Sequence, residues 1–351
     1  MRSLFSSSSK AGRDISCLFY LESLFRAGKT VYTIQLVLNH TRPKRVRPPA
    51  RKGEDQPMNI QWYPGHMTKT RRMIGENLKY VDVVAEVIDA RIPIASRNPD
   101  IDDLVGSKPR VVILNRADQA DPAASKQWAA YFRSKGISVL ECDARSGAGV
   151  KQFSPVMRGA LKEQIARWKE KGQVGRPVRA MVVGIPNVGK STFINKVAKK
   201  KSAKAGDRPG VTRGKQWITV DQGLELLDTP GILWPKFEDE TIGLHLAFTG
   251  AVRDAIMDVE TLACHLILLL AQRKPEALTA RFKIVPEEGM SGWDLLEAGA
   301  RKRGFLISGG EVDLERMANI LLDEFRAGKM GRITLELPED LEREEDDHGT
   351  A

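Results

Sequence analysis

Met181-Val-Val-Gly-Ile-Pro-Asn-Val-Gly-Lys-Ser-Thr192 is the segment around which the rest of the chain is organised. It fits G-x-x-x-x-G-K-[ST] through Gly184, Gly189, Lys190 and Ser191. Residues 180–183 are a short apolar, β-branched run, and residues 192–198 read as the start of a helix. The motif therefore lies between a strand and a helix, as a phosphate cradle requires. Glycines let successive backbone N–H groups turn inward, and the helix N-terminus adds its partial positive charge. The cradle is expected from Asn187, Val188, Gly189, Lys190, Ser191 and Thr192. Lys190 is placed to reach the β/γ-phosphates and Ser191 to hold Mg²⁺.

Working outward, Leu226-Leu-Asp-Thr-Pro-Gly231 is an apolar run ending in D-x-x-G. Asp228 is expected to hold Mg²⁺ through water, and the Gly231 N–H to meet the γ-phosphate. Arg208-Pro-Gly-Val-Thr212 lies between the two motifs and offers Thr212 to the metal and the γ-phosphate. The base is read upstream, not downstream. Val111-Val-Ile-Leu-Asn-Arg-Ala-Asp118 is a buried-looking strand that ends in N-[K/R]-x-D, giving Asn115, Arg116, Ala117 and Asp118. A carboxylate at Asp118 can accept from both N1–H and N2–H₂ of guanine, a pair adenine lacks. Unpairing such groups is costly, so the contact discriminates strongly. Asp143-Ala-Arg-Ser-Gly147 follows another strand-like stretch and places Ala144 and Arg145 in a loop over the guanine O6.

With these motifs the chain resembles the circularly permuted GTPases, in which base recognition precedes the phosphate loop. Within them it resembles the ribosome-biogenesis GTPase A (YlqF/RbgA-like) family. The resemblance is carried by Trp62-Tyr-Pro-Gly-His-Met67, Asp89-Ala-Arg-Ile-Pro93, the phosphate loop, Asp207-Arg-Pro-Gly210 and Asp228-Thr-Pro-Gly-Ile-Leu-Trp-Pro-Lys-Phe237, and runs from about Met58 to about Glu336. Arg116 stands where the family usually has Lys; its long stem can still stack on the purine, so altered binding is expected rather than loss.

The resemblance implies an α/β fold: a doubly wound, mostly parallel sheet in a circularly permuted P-loop GTPase domain, then a small helical C-terminal domain. It implies GTP/GDP and Mg²⁺ as ligands, and a GTPase that docks on the precursor of the large ribosomal subunit, with its rRNA and proteins, late in assembly and leaves after hydrolysis. A GTP-controlled scaffold with little hydrolysis and a tRNA-modification-type GTPase are the alternatives. Ile232 occupies the position where Ras-like GTPases carry a water-orienting Gln. By the resemblance, Asn187 then helps to hold K⁺ beside the phosphates, and His66 takes part in hydrolysis.

The boundaries follow from composition. Residues 1–57 end in a basic, proline-rich stretch with little to bury, and are read as disordered. They fit a transit peptide, an RNA-binding tail, or an upstream reading before a start at Met58, the last being favoured. Residues 58–249 form the GTPase domain, 250–336 the helical RNA- and ribosome-binding domain, and 337–351 an acidic disordered tail. A net charge of +10 favours a polyanionic partner such as RNA. Arg301-Lys-Arg303 and residues 329–332 are candidate contacts. The three cysteines carry no C-x-x-C pair, which suits a reducing compartment. A monomer off the ribosome, with no membrane contact, is expected in the cytoplasm, or in a mitochondrion or plastid if the extension is a transit peptide. Cys142, His245 and His265 read as packed, and Trp234 as packing the helical domain. One helix is expected over residues 150–171, and Phe325-Arg-Ala-Gly-Lys329 repeats Phe25–Lys29 without amounting to a repeat architecture.

Overall fold

Six strands make the sheet that carries the site. The computed structural model describes residues 67–198, 216–221, 223–228, 240–252 and 258–341. The chain divides into two compact units, Met1–Glu54 and Asp55–Ala351. The first lies outside the described residues, and so do the readings made of residues 1–57 and of Trp234.

The strands are β1 (Val83–Asp89), β2 (Arg110–Asn115), β3 (Ser138–Glu141), β4 (Val178–Val183), β5 (Gln216–Asp221) and β6 (Leu224–Asp228). Their order across the sheet is β3-β2-β1-β4-β6-β5. All neighbours are parallel except β5, which pairs antiparallel to β6. Every residue of β1 is buried, as expected of a parallel strand covered on both faces. Because β1–β3 precede the phosphate-loop strand in the chain, β4 inserts beside β1, with Val83 opposite Ala180. The carboxyl ends of the parallel strands thus come together, which is where open α/β sheets bind ligands.

The helices are α1 (Met67–Leu78), α2 (Asp100–Val105), α3 (Pro122–Ser134), α4 (Phe153–Ala160), α5 (Lys162–Glu170), α6 (Lys190–Val197), α7 (Glu240–Phe248), α8 (Val259–Arg273), α9 (Pro275–Phe282), α10 (Gly292–Arg303) and α11 (Leu314–Arg326). Start signals are local: the Asp121 carboxylate caps α3 by accepting from the N–H groups of Ala123 and Ala124, and Ser291 with Asp294 forms a capping box on α10. Helices α8, α10 and α11 pack on one another, and their apolar faces join those of the sheet in one core that includes Val87, Phe193, Leu266, Leu322 and Phe325. A second cluster, around Ile74, Val84 and Met181, and a third, around Trp128 and Phe132, serve α1–α2 and α3.

The expected single helix over residues 150–171 is instead a 3₁₀ turn at Val150–Gln152 followed by α4 and α5, with the break at Leu161. Leu161 is buried with Phe153 and Met157, and Gly159 just before it weakens the helix, so a change of direction keeps both apolar segments on the core. Helix α9 is an element not expected from the sequence; Pro275 stands at its first helical position, where a missing N–H costs nothing. His265 is exposed on α8, not packed. The tail expected to lack structure from 337 begins with a helical turn at residues 338–341, tied by Asp340 to Arg273 at 2.8 Å; residues 342–351 lie outside the described residues. No helix among the described residues is long and apolar enough to cross a membrane.

Candidate functional site

The phosphate loop leaves β4 at Gly184, whose φ of 154° and position above β1 leave no room for a side chain: a Cβ there would sit 2.5 Å from the Val87 carbonyl oxygen. Asn187 takes a left-handed φ of 62°, and Gly189, at φ 91°, delivers the chain to the first residue of α6, Lys190. A Cβ on Gly189 would lie 2.4 Å from Asn115 Nδ2, so the base-reading strand end is packed directly against the loop. Lys190 is buried, while Ser191 and Thr192 follow in the first turn of α6.

Asn115, itself buried, joins three loops. Its Nδ2 donates to the Val188 carbonyl at 2.7 Å, and its Oδ1 accepts from the Ala144 N–H at 3.0 Å. The motifs that sequence places 70 or so positions apart are thus held by one side chain (Asn115 and Val188 are separated by 73). Around it lies a cavity of about 300 Å³, lined by Asn115, Arg116, Asp118, Ala144, Arg145, Gly189 and Thr192 among others. Asp118 is exposed in it. The Asp143 carboxylate accepts from the N–H groups of Arg145 and Ser146, which shapes the turn carrying Ala144 and Arg145. Ala117 is tied back to β3's end by its N–H to the Cys142 carbonyl.

Arg116 has a left-handed φ of 60°. Its Nη2 donates to the Asn187 carbonyl at 2.9 Å, and its Nε lies 3.6 Å from Asp89 Oδ2. Asp89 is also gripped by Arg91, through Nε at 3.0 Å and Nη2 at 2.8 Å. Burial alone would raise the Asp89 carboxyl pKa, but Arg91 and Arg116 outweigh it and hold the group below the usual carboxylate range. Burial likewise pushes Arg116 down, with Asp89 opposing. An arginine in place of lysine therefore has partners waiting for it: a carboxylate and a carbonyl, which a forked guanidinium meets better than an ammonium does.

Cys142 is buried beside Asn115, and burial pushes its thiol up to about 12. His245 is buried too, its Nδ1 2.8 Å from Glu336 Oε1.

Asp228 is the last residue of β6, opposite Val182 of β4, which sets its backbone beside the root of the phosphate loop. His66, Thr212 and Gly231 lie outside the described residues. Of the basic contacts expected from sequence, Arg301 is bonded to Glu297 and Arg303 to Glu324, Lys302 and Lys329 are exposed, and Arg332 lies against the base-reading loop. Sequence reasoning missed the Asp89–Arg91 pair as part of the site. It also missed Arg326, which lines the cavity from α11 while donating to the Ala247 and Phe248 carbonyls at the end of α7. The only signal for these was their place in quoted motifs of unassigned role.

Residues 179–287 match the model of a family described as 50S ribosome-binding GTPase. The chain is 47% identical over 292 residues to ribosome biogenesis GTPase A of Bacillus cereus, which covers 83% of this chain and 98% of that one. It is 32% identical to mitochondrial ribosome-associated GTPase 1 of Mus musculus, over 79% of this chain and 90% of that one. The crystal structure of GNP-bound YlqF from T. maritima superposes with a TM-score of 0.56 at 29% identity, covering 77% of this chain and 99% of that one.

Proposed function

This chain belongs to the ribosome biogenesis GTPase A family, and from that premise we propose that it binds a precursor of the large ribosomal subunit in its GTP state and leaves after hydrolysis. Members of this family are GTPases linked to the ribosome; the large subunit, the stimulation of turnover by it and the residue roles are our reading. One observation carries it: Asn115 holds the guanine-type loop, the 143–147 loop and the phosphate loop around a single cavity.

In this reading Asp118 accepts from the guanine N1–H and N2–H₂, with Ala144 and Arg145 over its O6. The backbone of residues 187–192 and Lys190 hold the phosphates. Mg²⁺ would suit the hard oxygen donors of Ser191, Asp228 and Thr212, the pairing of Asp228 with Val182 setting its backbone beside the root of the phosphate loop. Such an ion neutralises the phosphate charge that builds up during transfer. Asn187 donates through Nδ2 to the Gly250 carbonyl at 3.3 Å, so its amide oxygen is the atom on offer to K⁺. His66 orients or deprotonates the attacking water once the subunit is bound. Residues 250–336 supply most of the RNA contact, through groups such as Lys302 and Lys329. The protein acts as a monomer in the cytoplasm; the mitochondrial relative supports the alternative in which residues 1–57 are a transit peptide.

The test is GTP turnover with and without large subunits, in potassium and in sodium. Turnover is expected to rise with subunits, to slow in sodium, and to lose its stimulation in His66→Ala while GTP and subunit binding persist. Subunit binding without any stimulation would favour the scaffold reading, and equal subunit affinity in GTP and GDP would remove the switch.

A further inference from the structure

Past α11 the chain runs back along the base-reading loop before its end meets α7 and α8 through Glu336 and Asp340. Gly328, at φ 70°, turns it against the base-reading loop, where a Cβ would meet Gln119 Cγ at 2.9 Å. Residues 328–336 then run along loop 115–121 as a strap. Arg332 Nη2 donates to the Ala117 carbonyl at 2.7 Å, and Arg332 Nε to the Ala120 carbonyl at 3.1 Å. The Ile333 N–H donates to the Gln119 carbonyl at 2.8 Å, and the Asp121 N–H donates to Thr334 Oγ1 at 3.0 Å. These four bonds grip the backbone on both sides of Asp118, which is exposed and lines the cavity. Further along, the Leu335 N–H donates to the Arg91 carbonyl, and the Glu336 carboxylate accepts from the N–H groups of Ile94 and Ala95.

The loop needs this brace. Arg116 is in the left-handed region and Asp118 itself is exposed; apart from the strap, the 117–120 backbone is held by the bonds from the Ala117 N–H to Cys142 and from the Gln119 N–H to Arg116, and by the buried Ala120. A carboxylate that must meet two N–H groups at once tolerates little displacement, and a guanidinium spanning two carbonyls fixes the peptide planes to either side of it.

We propose that Arg332, from the C-terminal strap, is a positioning residue for guanine selectivity: by holding the carbonyls of Ala117 and Ala120 it sets the Asp118 carboxylate for two-point contact with the base. This rests on the reading of Asp118 as the guanine acceptor. It also assigns Arg332 away from the RNA face on which sequence had placed it, and makes the strap after α11 part of the nucleotide site.

The experiment measures affinities for GTP, ITP and ATP on the full chain and on Arg332→Ala, Arg332→Lys and Asp118→Asn, singly and as the Arg332→Ala/Asp118→Asn pair, with melting curves for each. ITP lacks the 2-amino group and so can use only one of the two contacts. Arg332→Ala is expected to weaken GTP about tenfold, the worth of roughly one such hydrogen bond, and ITP much less, so the GTP:ITP ratio falls. Arg332→Lys, which can reach one carbonyl, is expected to lie between. In the Asp118→Asn background, Arg332→Ala is expected to have no further effect on GTP. A purely structural role would lower the melting temperature and weaken GTP and ITP alike, and an unchanged GTP:ITP ratio in both Arg332 variants overturns the proposal. If Arg332→Ala fails to fold, the ratio in Arg332→Lys decides. An unmodified chain that fails to prefer GTP over ATP would sink the reading of Asp118 itself, whereas preference with an unaltered ratio sinks only the role of Arg332.

Discussion

The phosphate loop takes most of its shape from residues 184–192 themselves: two glycines where side chains would collide, one left-handed Asn, and the first turn of α6, with Asn115 and Arg116 adding bonds to the Val188 and Asn187 carbonyls from outside. The base-reading loop, on the far side of the same cavity, takes its shape from partners scattered along the whole chain. Asn115 reaches Val188 and Ala144, Arg116 reaches Asp89 and Asn187, and the backbone of 117–121 is held from residues 332–334, with Arg332 and Ala117 215 positions apart. A phosphate site can be largely a local motif, because a phosphate asks for N–H groups and a helix end. A base needs a carboxylate held in a plane, and here that takes tertiary structure.

The contrast is broken most severely through Asp89. Asp89→Asn leaves Arg91, 1% exposed, buried without its carboxylate, a change that typically removes about 3–5 kcal/mol. Denaturant unfolding is expected to show that loss, and nucleotide affinity to fall with it, since Arg116 loses the same partner. The pH dependence follows from the sign of the shift. Asp89 is depressed on folding, so its contribution is fully present above the unfolded carboxylate value of about 4 and is lost as pH falls through the lower folded value. In Asp89→Asn that part of the acid-induced loss is expected to vanish; an unaltered acid limb would show that Asp89 contributes nothing there.

A local site should fail locally. Lys190→Ala is expected to weaken GTP by about a hundredfold, the worth of hydrogen bonds to a charged group, with the unfolding midpoint nearly unmoved. Normal GTP binding by this variant would remove the phosphate-loop assignment. A large loss of stability with little loss of affinity would erase the contrast between the two halves.

Asp118→Asn probes the base half by chemistry. It exchanges an acceptor for a donor opposite the 2-position, so GTP is expected to weaken by about tenfold or more while xanthosine triphosphate, with an oxygen there, gains. Isothermal titration with both nucleotides reads this directly, and a variant that weakens both equally would detach Asp118 from base reading.

The smallest effect concerns Cys142, which packs behind Asn115 and whose thiol is pushed to about 12. At pH 8 it is expected to react with a maleimide only at the rate of unfolding, and more slowly still with GTP bound; rapid labelling of Cys142 would mean that the base loop opens on its own.

Much of this was open to reading in the chain itself. The strand–loop–helix at 181–192 and the N-[K/R]-x-D strand end gave the two halves, and the permuted order gave the sheet, because each depends on residues adjacent in sequence. What stayed hidden depends on contacts made only in three dimensions. The helix opened by Pro275 carries no strong periodic signal of its own, and His265 lies in an apolar run but on its outer face. Arg332 looks like one more basic residue for RNA until its two donors are seen on the carbonyls of Ala117 and Ala120. Charge patterns announce that an arginine is present, not which of several acceptors it finds.

The central claim is that the cavity around Asn115 selects guanine, and it is tested most directly by titrating the unmodified chain with GTP and ATP under identical magnesium and salt. GTP is expected to bind at least about a hundredfold more tightly, since adenine leaves the Asp118 carboxylate facing a mismatched edge. Comparable affinities for the two nucleotides would contradict the account.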